Sequence, residues 1–364
     1  MKKILKRVGI AVLLIAVIIA VAICFALYKM SASTGIGSAG GADYDRKIEI
    51  WDMPAGYSTD LKLNSMNAKT SGNVIVQQIL FAGAIVGDEY KDSEKTIDTF
   101  TYLYEIKGGY ESETYEDKPY LIPYLSEDSD TAVIVLPGGG FSFKSMDGST
   151  SEGRDVAVTL KENGINAFVL HYRSNPYEYP IPMLDLQRAV RYLKYHAEEY
   201  GINPEKIGLI GFSAGGYEIG YFINRLQGNN LFPEDYVPNE IDVMDDNVVA
   251  AAMIYPALSF NSNVPMLFAL FDDDDVKNEE TRSELLKQTD LKNFVECSRN
   301  IPQFIAWGTK DSMVGVTETP AYIETAKNIG VDIKEVVADG QDHGFGQEYY
   351  MNEYLMWFKE LIGE

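Results

Sequence analysis

From residue 131 onward the chain alternates short, largely apolar runs with longer stretches in which apolar side chains recur every three or four positions. The runs at 131–136, 167–172, 206–210, 248–254, 303–307 and 333–337 are rich in β-branched residues and have the length of buried strands. The stretches at 154–163, 183–200, 317–328 and 350–361 carry helical spacing. In the longest, Leu186, Ala189, Val190, Leu193 and Ala197 share one face, and Gly201 and Pro204 end it. Strand and helix in alternation predict a mostly parallel central sheet flanked by helices, an α/β fold. Upstream, strand-like stretches at 46–51, 73–84, 96–106 and 119–125 are less regular, and some are expected to add antiparallel strands to the same sheet. Between the strands at 248–254 and 303–307 the rhythm breaks, and a cap insertion at 257–299 fits there. Its acidic run, Asp272 to Asp275, lacks the spaced oxygen ligands and glycine of a calcium loop and reads as a solvated turn.

The first thirty residues follow a different pattern. Lys2, Lys3, Lys6 and Arg7 precede an uncharged apolar run at 8–28, closed by Lys29. At about 1.5 Å per residue that run spans a bilayer core. No small-x-small cleavage site follows its end directly, so residues 1–30 are expected to be a cytoplasmic basic stub and a transmembrane signal-anchor, with secretion after cleavage as the alternative. The basic residues gather before the span, which places everything after Lys29 outside the cell. A Gly- and Ser-rich tether at 31–45 leads to a single large domain at 46–364.

Five of the 31 basic residues precede Ser31, so the outer portion sets 26 against 54 acidic side chains, a balance of −28. Such a surface repels nucleic acid and anionic lipid. Outside the apolar span the sole cysteine is Cys297, so no intrachain disulfide is expected there. Cys24 reads as a lipid-facing apolar residue.

The candidate chemistry begins at Gly211-Phe212-Ser213-Ala214-Gly215, which directly follows a predicted strand and directly precedes a helix-like stretch. A G-x-S-x-G elbow needs that setting, because small residues two before and two after the serine let the chain reverse and hold a hydroxyl exposed on strained backbone. The serine needs a base, and the base needs a carboxylate to orient it. In this fold the order along the chain is Ser, acid, His. Of the three histidines, His171 and His196 precede Ser213, which leaves His343, in Asp342-His343-Gly344-Phe345-Gly346 between the last strand and the terminal helix. Asp311, in the loop after the 303–307 strand, is the candidate acid, with Asp339, Asp342 and the Asp272–Asp275 run as rivals. Pro137-Gly138-Gly139-Gly140-Phe141 follows the first regular strand, where successive glycines let backbone N–H groups face a developing oxyanion together with the N–H of Ala214.

The segment 132–346 resembles the esterase/lipase branch of the α/β-hydrolases, and within it the bacterial acetyl-esterase and xylan-esterase-like proteins. The runs VLPGGGF, FVLHYR, PIPMLDLQRAVRYLKYHAEEYGINPEKIGLIGFSAGG, WGTKD and DHGFG carry the resemblance. It implies an α/β-hydrolase fold, with Ser213 as nucleophile, Asp311 as acid, His343 as base, and Gly139, Gly140 and Ala214 lining the oxyanion hole. Asp185 and Arg188 match positions that look structural in that group, and the stretch 48–54 resembles its N-terminal region. Pro137 stands where the H-G-G-G form has histidine, which removes a side chain that braces the loop, and 61–116 has no counterpart.

The function expected is that of a membrane-anchored, outward-facing serine carboxylic-ester hydrolase without metal or cofactor. By resemblance its substrates are short-chain, chiefly acetyl, esters on small molecules or glycans. A serine peptidase of the prolyl-oligopeptidase type shares the triad order, but the chain lacks room for that group's propeller. A non-catalytic surface binding protein on the same fold is the remaining alternative. Nucleic acid is not an expected partner, and the sequence does not fix the oligomeric state.

Overall fold

The computed structural model describes residues 47–51, 119–127, 129–141, 151–173, 177–232 and 236–364. The apolar run at 8–28, the tether, and the strand-like stretches at 73–84 and 96–106 lie outside the described residues. Among the described residues no helix is long and apolar enough to cross a membrane.

The strands are β1 (Ile48–Glu49), β2 (Tyr120–Tyr124), β3 (Ala132–Leu136), β4 (Asn166–His171), β5 (Ile207–Phe212), β6 (Ala250–Ile254), β7 (Gln303–Gly308) and β8 (Ile333–Ala338). They form one sheet in the order β1-β2-β4-β3-β5-β6-β7-β8. β1–β2 and β2–β4 pair antiparallel, and every later pair is parallel. The sequence expectation of antiparallel leading strands on a parallel sheet thus holds at 48–49 and 120–124. The central strands are buried on both faces, so they read as unbroken apolar runs.

Successive side chains of a strand point to opposite faces, and the core divides accordingly. Ile134, Leu136, Ile207 and Leu209 face one layer, and Val133, Val135, Ile210 and Phe212 face the other. The first layer holds α2 (Ile181–Tyr195), α3 (Ala214–Tyr221) and α6 (Glu318–Asn328); the second holds α1 (Arg154–Glu162) and α7 (Met351–Ile362). The helix expected at 183–200 stops at Tyr195 and resumes as Ala197–Tyr200. At the joint the His196 ring stacks on Tyr192, and its Nδ1 lies 2.9 Å from Glu199. Gly201, at φ 66°, closes the second piece.

Between β6 and β7 the chain forms short helical pieces, including α4 (Asp273–Lys277) and α5 (Glu279–Thr289). Val264, Leu267, Ala269, Leu270 and Val276 join the first core layer, so this insertion is packed onto the main body. The acidic run, expected as a turn, is the first turn of α4, where the Asp272 side chain accepts a hydrogen bond from the Asp274 N–H. Acidic residues suit a helix N-terminus, whose unpaired N–H groups carry partial positive charge.

A buried polar cluster ties the leading segment to α2. Asp185 accepts from the Trp51 indole at 3.0 Å and from the backbone and guanidinium of Arg173. Arg188 donates to the Ile50 carbonyl and to Asp242, each at 2.7 Å, with its guanidinium over the Trp51 ring. Asp185 and Arg188 therefore hold the fold together, as expected. His171 is buried against Tyr120, ring on ring at 4.3 Å.

Candidate active site

Parallel strands present all their C-terminal ends on one edge of the sheet, so the loops leaving β3, β5, β6, β7 and β8 converge there. At the end of β5 the chain reverses through Ser213, held at φ 51° and ψ −113°. That backbone is costly for a residue with a Cβ, on the order of 1–3 kcal/mol. The flanking glycines make the reversal fit. A Cβ on Gly211 would collide with the Gly215 backbone, and one on Gly215 would collide with the Leu136 carbonyl. Ser213 is pinned further by its N–H donating to the Ile254 carbonyl at 3.0 Å.

β7 and β8 are neighbours, and their following loops run side by side. The Lys310 N–H donates to the Gln341 carbonyl at 2.9 Å, and a Cβ on Gly308 would collide with the same carbonyl. This brings Asp311 against His343. His343 Nδ1 lies 2.8 Å from Asp311 Oδ2, and His343 Nε2 lies 2.8 Å from Ser213 Oγ. Asp311 is buried, and its other oxygen accepts the N–H groups of Met313 and Val314 at 2.9 and 3.0 Å. The carboxylate is therefore fixed in direction before it meets the imidazole.

The rival acids are engaged elsewhere. Asp342 accepts from the N–H and hydroxyl of Ser312 and from the His343 N–H, and these bonds hold its pKa below the usual range against the opposing cost of partial burial. Asp339 accepts from Thr309. Asp272 caps α4.

The glycine turn after β3 crosses directly over the elbow. A Cβ on Gly138 would stand 2.9 Å from both the Phe212 carbonyl and the Ser213 Cβ. Gly139 and Gly140 take φ 140° and 59°, conformations that glycine adopts without steric cost. Ala214 opens α3, so its N–H has no carbonyl of its own helix to meet. Gly138 thus lies against the serine, Ala214 follows it in the chain, and Gly139 and Gly140 continue the turn from Gly138. The turn is locked by the buried Phe141, at φ 56°, whose ring packs on Tyr172 and Tyr217, while the Tyr172 hydroxyl donates to the Pro137 carbonyl at 2.8 Å.

Two residues here escaped the sequence reading. Glu152, just before α1, accepts the Gly138 N–H at 2.7 Å and the Tyr255 hydroxyl at 2.8 Å. The Tyr255 ring in turn meets the His343 ring edge-on, centroids 4.9 Å apart. Burial, then the nearby Glu152 charge, pushes the Tyr255 phenol well above its ordinary pKa, so it remains a donor. Among the described residues the non-glycine positions with positive φ are Phe141, Ser213 and Tyr255, all in this site. The arrangement supplies a serine hydroxyl bonded to an imidazole, an imidazole oriented by a carboxylate, and backbone donors beside the hydroxyl. That set can attack an acyl carbon and hold the charge that develops on its oxygen.

A family model described as BD-FAE matches residues 120–325. An acetylxylan esterase of Xylanibacter ruminicola is 26% identical over 249 residues, covering 67% of this chain and 46% of that protein. A probable carboxylic ester hydrolase of Mycobacterium tuberculosis is 26% identical over 205 residues, covering 54% of this chain and 45% of its own. The chain thus spans about half the length of these curated relatives. Among solved structures, an acetyl ester-xyloside bifunctional hydrolase from Caldicellulosiruptor lactoaceticus superposes with a TM-score of 0.53 at 26% identity, over 68% of this chain and 89% of that one. A carbohydrate esterase from gut microbiota gives 0.53 at 19% identity, over 67% and 91%, a likeness of fold.

Proposed function

Since this chain belongs to the BD-FAE family, we propose that it is a serine carboxylic-ester hydrolase in which Ser213, His343 and Asp311 form the catalytic triad. The observation that carries the proposal is the unbroken chain of contacts from Asp311 Oδ2 through both imidazole nitrogens to Ser213 Oγ, each 2.8 Å long. His343 Nε2 takes the proton as Ser213 Oγ attacks the ester carbonyl, and Asp311 stabilises the imidazolium that results. The N–H groups of Gly139, Gly140 and Ala214 stabilise the oxyanion. The protonated His343 then gives its proton to the leaving alcohol, and water activated by the same nitrogen releases the acid.

The substrates proposed are short-chain acyl esters, chiefly acetyl groups on glycans. The named activities of the relatives support this reading, since one is an acetylxylan esterase and another an acetyl ester-xyloside hydrolase. The proposal includes a membrane anchor at 8–28 with the catalytic domain outside the cell, supported by the apolar length and by the basic residues before it. Purified full-length protein should hydrolyse p-nitrophenyl acetate and release acetate from acetylated xylan. Ser213→Ala should lower kcat by at least about 10³-fold without unfolding the protein. An inactive parent, or a mutant that keeps the parent's rate, would overturn the reading.

A further inference from the structure

Pro137, at the head of the glycine turn, has no side-chain group that could hydrogen-bond to the glycines after it, whereas the carboxylate of Glu152 reaches the Gly138 N–H. We propose that Glu152 is a positioning residue that holds the oxyanion turn and the catalytic histidine in one register. The inference rests on the esterase reading given above.

One carboxylate group makes both contacts. Its Oε2 accepts the Gly138 N–H at 2.7 Å, and its Oε1 accepts the Tyr255 hydroxyl at 2.8 Å. Gly138 is the residue whose missing Cβ lets the turn lie on Ser213, so a shift of Gly138 moves the Gly139 and Gly140 N–H groups relative to the nucleophile. Tyr255 follows β6, and its backbone N–H donates to the Ala306 carbonyl of β7 at 2.7 Å. Its ring contacts His343 on one side and Phe345, two residues further along the same loop, on the other. Glu152 therefore connects the loop after β3 to the loop after β8 through a single tyrosine.

Tyr255 is itself held at φ 37°, one of the strained positions of the site. Strain of that kind persists where the surroundings over-determine the conformation. The hydroxyl bond to Glu152, the backbone bond to β7 and the two ring contacts are those surroundings. The electrostatics agree with a passive role, because the carboxylate directs one oxygen to each donor and neither to the serine.

The side chain's chemistry separates positioning from mere space filling. A glutamine keeps an oxygen for the Gly138 N–H, and its NH2 group can donate to the tyrosine oxygen, since a phenol hydroxyl both donates and accepts. Glu152→Gln should thus preserve the bridge. An alanine removes both arms.

The test is steady-state kinetics of the full-length protein on p-nitrophenyl acetate. Misplaced oxyanion donors act on the transition state more than on bound substrate, so Glu152→Ala should lower kcat by about 30-fold or more while KM stays within about twofold. Glu152→Gln should recover kcat to within about fivefold of the parent. Tyr255→Phe should lower kcat, and adding it to Glu152→Ala should cost nothing further, because the hydroxyl acts through the carboxylate.

Glu152→Ala within about threefold of the parent kcat, a rise confined to KM, or a Glu152→Gln protein as slow as the alanine variant overturns the inference while leaving the esterase reading intact. If Glu152→Ala does not fold, the Tyr255→Phe and Glu152→Gln proteins decide in the same way. Full activity in Tyr255→Phe then counts against the bridge. A parent with no Ser213-dependent turnover overturns the esterase reading and this inference with it.

Discussion

Within the proposed triad, Asp311 is the residue whose position is most sharply defined by its hydrogen bonds. One oxygen is committed to the Met313 and Val314 N–H groups and the other faces His343 Nδ1, so the imidazole is held with its second nitrogen toward Ser213. Asp311→Asn keeps the shape but offers an amide in place of the carboxylate, which favours the wrong tautomer and loses the charge that stabilises the imidazolium. Its kcat should fall by about 10³- to 10⁴-fold with the melting temperature nearly unchanged, measured by initial rates alongside thermal unfolding. Residues of this kind were legible in the sequence to different depths. His343 emerged by elimination among three histidines, and Asp311 by its place after a strand. The contacts of Asp342 with Ser312 could not be read beforehand, because two adjoining loops set them. Glu152 was invisible for the same reason. Its partners lie 14 and 103 positions away, and no local spacing encodes either contact.

Among the elements, those with strong patterning were legible almost to the residue, as β5 and β6 show, because strands buried on both faces must be apolar throughout. The leading strands were vaguer. β1 pairs through two residues, too few to impose an alternating pattern, and owes its place to the Trp51, Asp185 and Arg188 contacts. The break in rhythm after β6 corresponds to a series of short helices, and their packing involves contacts with α6 that no local spacing encodes. There the Glu318 carboxyl accepts the Ser262 N–H at 2.7 Å, and burial pushes its pKa up to about 7. Its second oxygen is buried without a hydrogen-bond partner, so nothing there offsets the cost of burying a negative charge. In the unfolded chain the same group ionises near its ordinary 4.5. The folded state therefore holds a proton that the unfolded state has released. The stabilisation is complete below about pH 4.5 and is lost as the pH climbs to about 7. The parent's melting temperature should drop by several degrees between those limits, and Glu318→Gln, which keeps the bond to Ser262, should flatten that decline, with calorimetry across the range as the check. Glu218 on α3, buried without a hydrogen-bond partner and pushed up by burial and then by Asp185, acts in the same direction, so the flattening should be partial.

At the scale of the whole molecule, the sequence assigns opposite surroundings to the two ends of the chain, a basic apolar segment followed by a strongly acidic body. Under the proposed anchoring, full-length protein expressed in bacteria should sediment with membranes, and deletion of residues 1–30 should move the esterase activity into the soluble fraction; equal partitioning of the two forms would refute the anchor. An acidic body is also repelled by an anionic surface. The order of attachment matters mechanically. A pull on the tether enters the fold at β1, whose own ladder of two residue pairs would unzip under little load. Just behind it, however, the Ile50 carbonyl and the Trp51 indole are fastened to Arg188 and Asp185 on α2. A load entering at β1 would thus be met within two residues by buried side-chain bonds to a helix of the interior, and the two-pair ladder would not have to carry it alone.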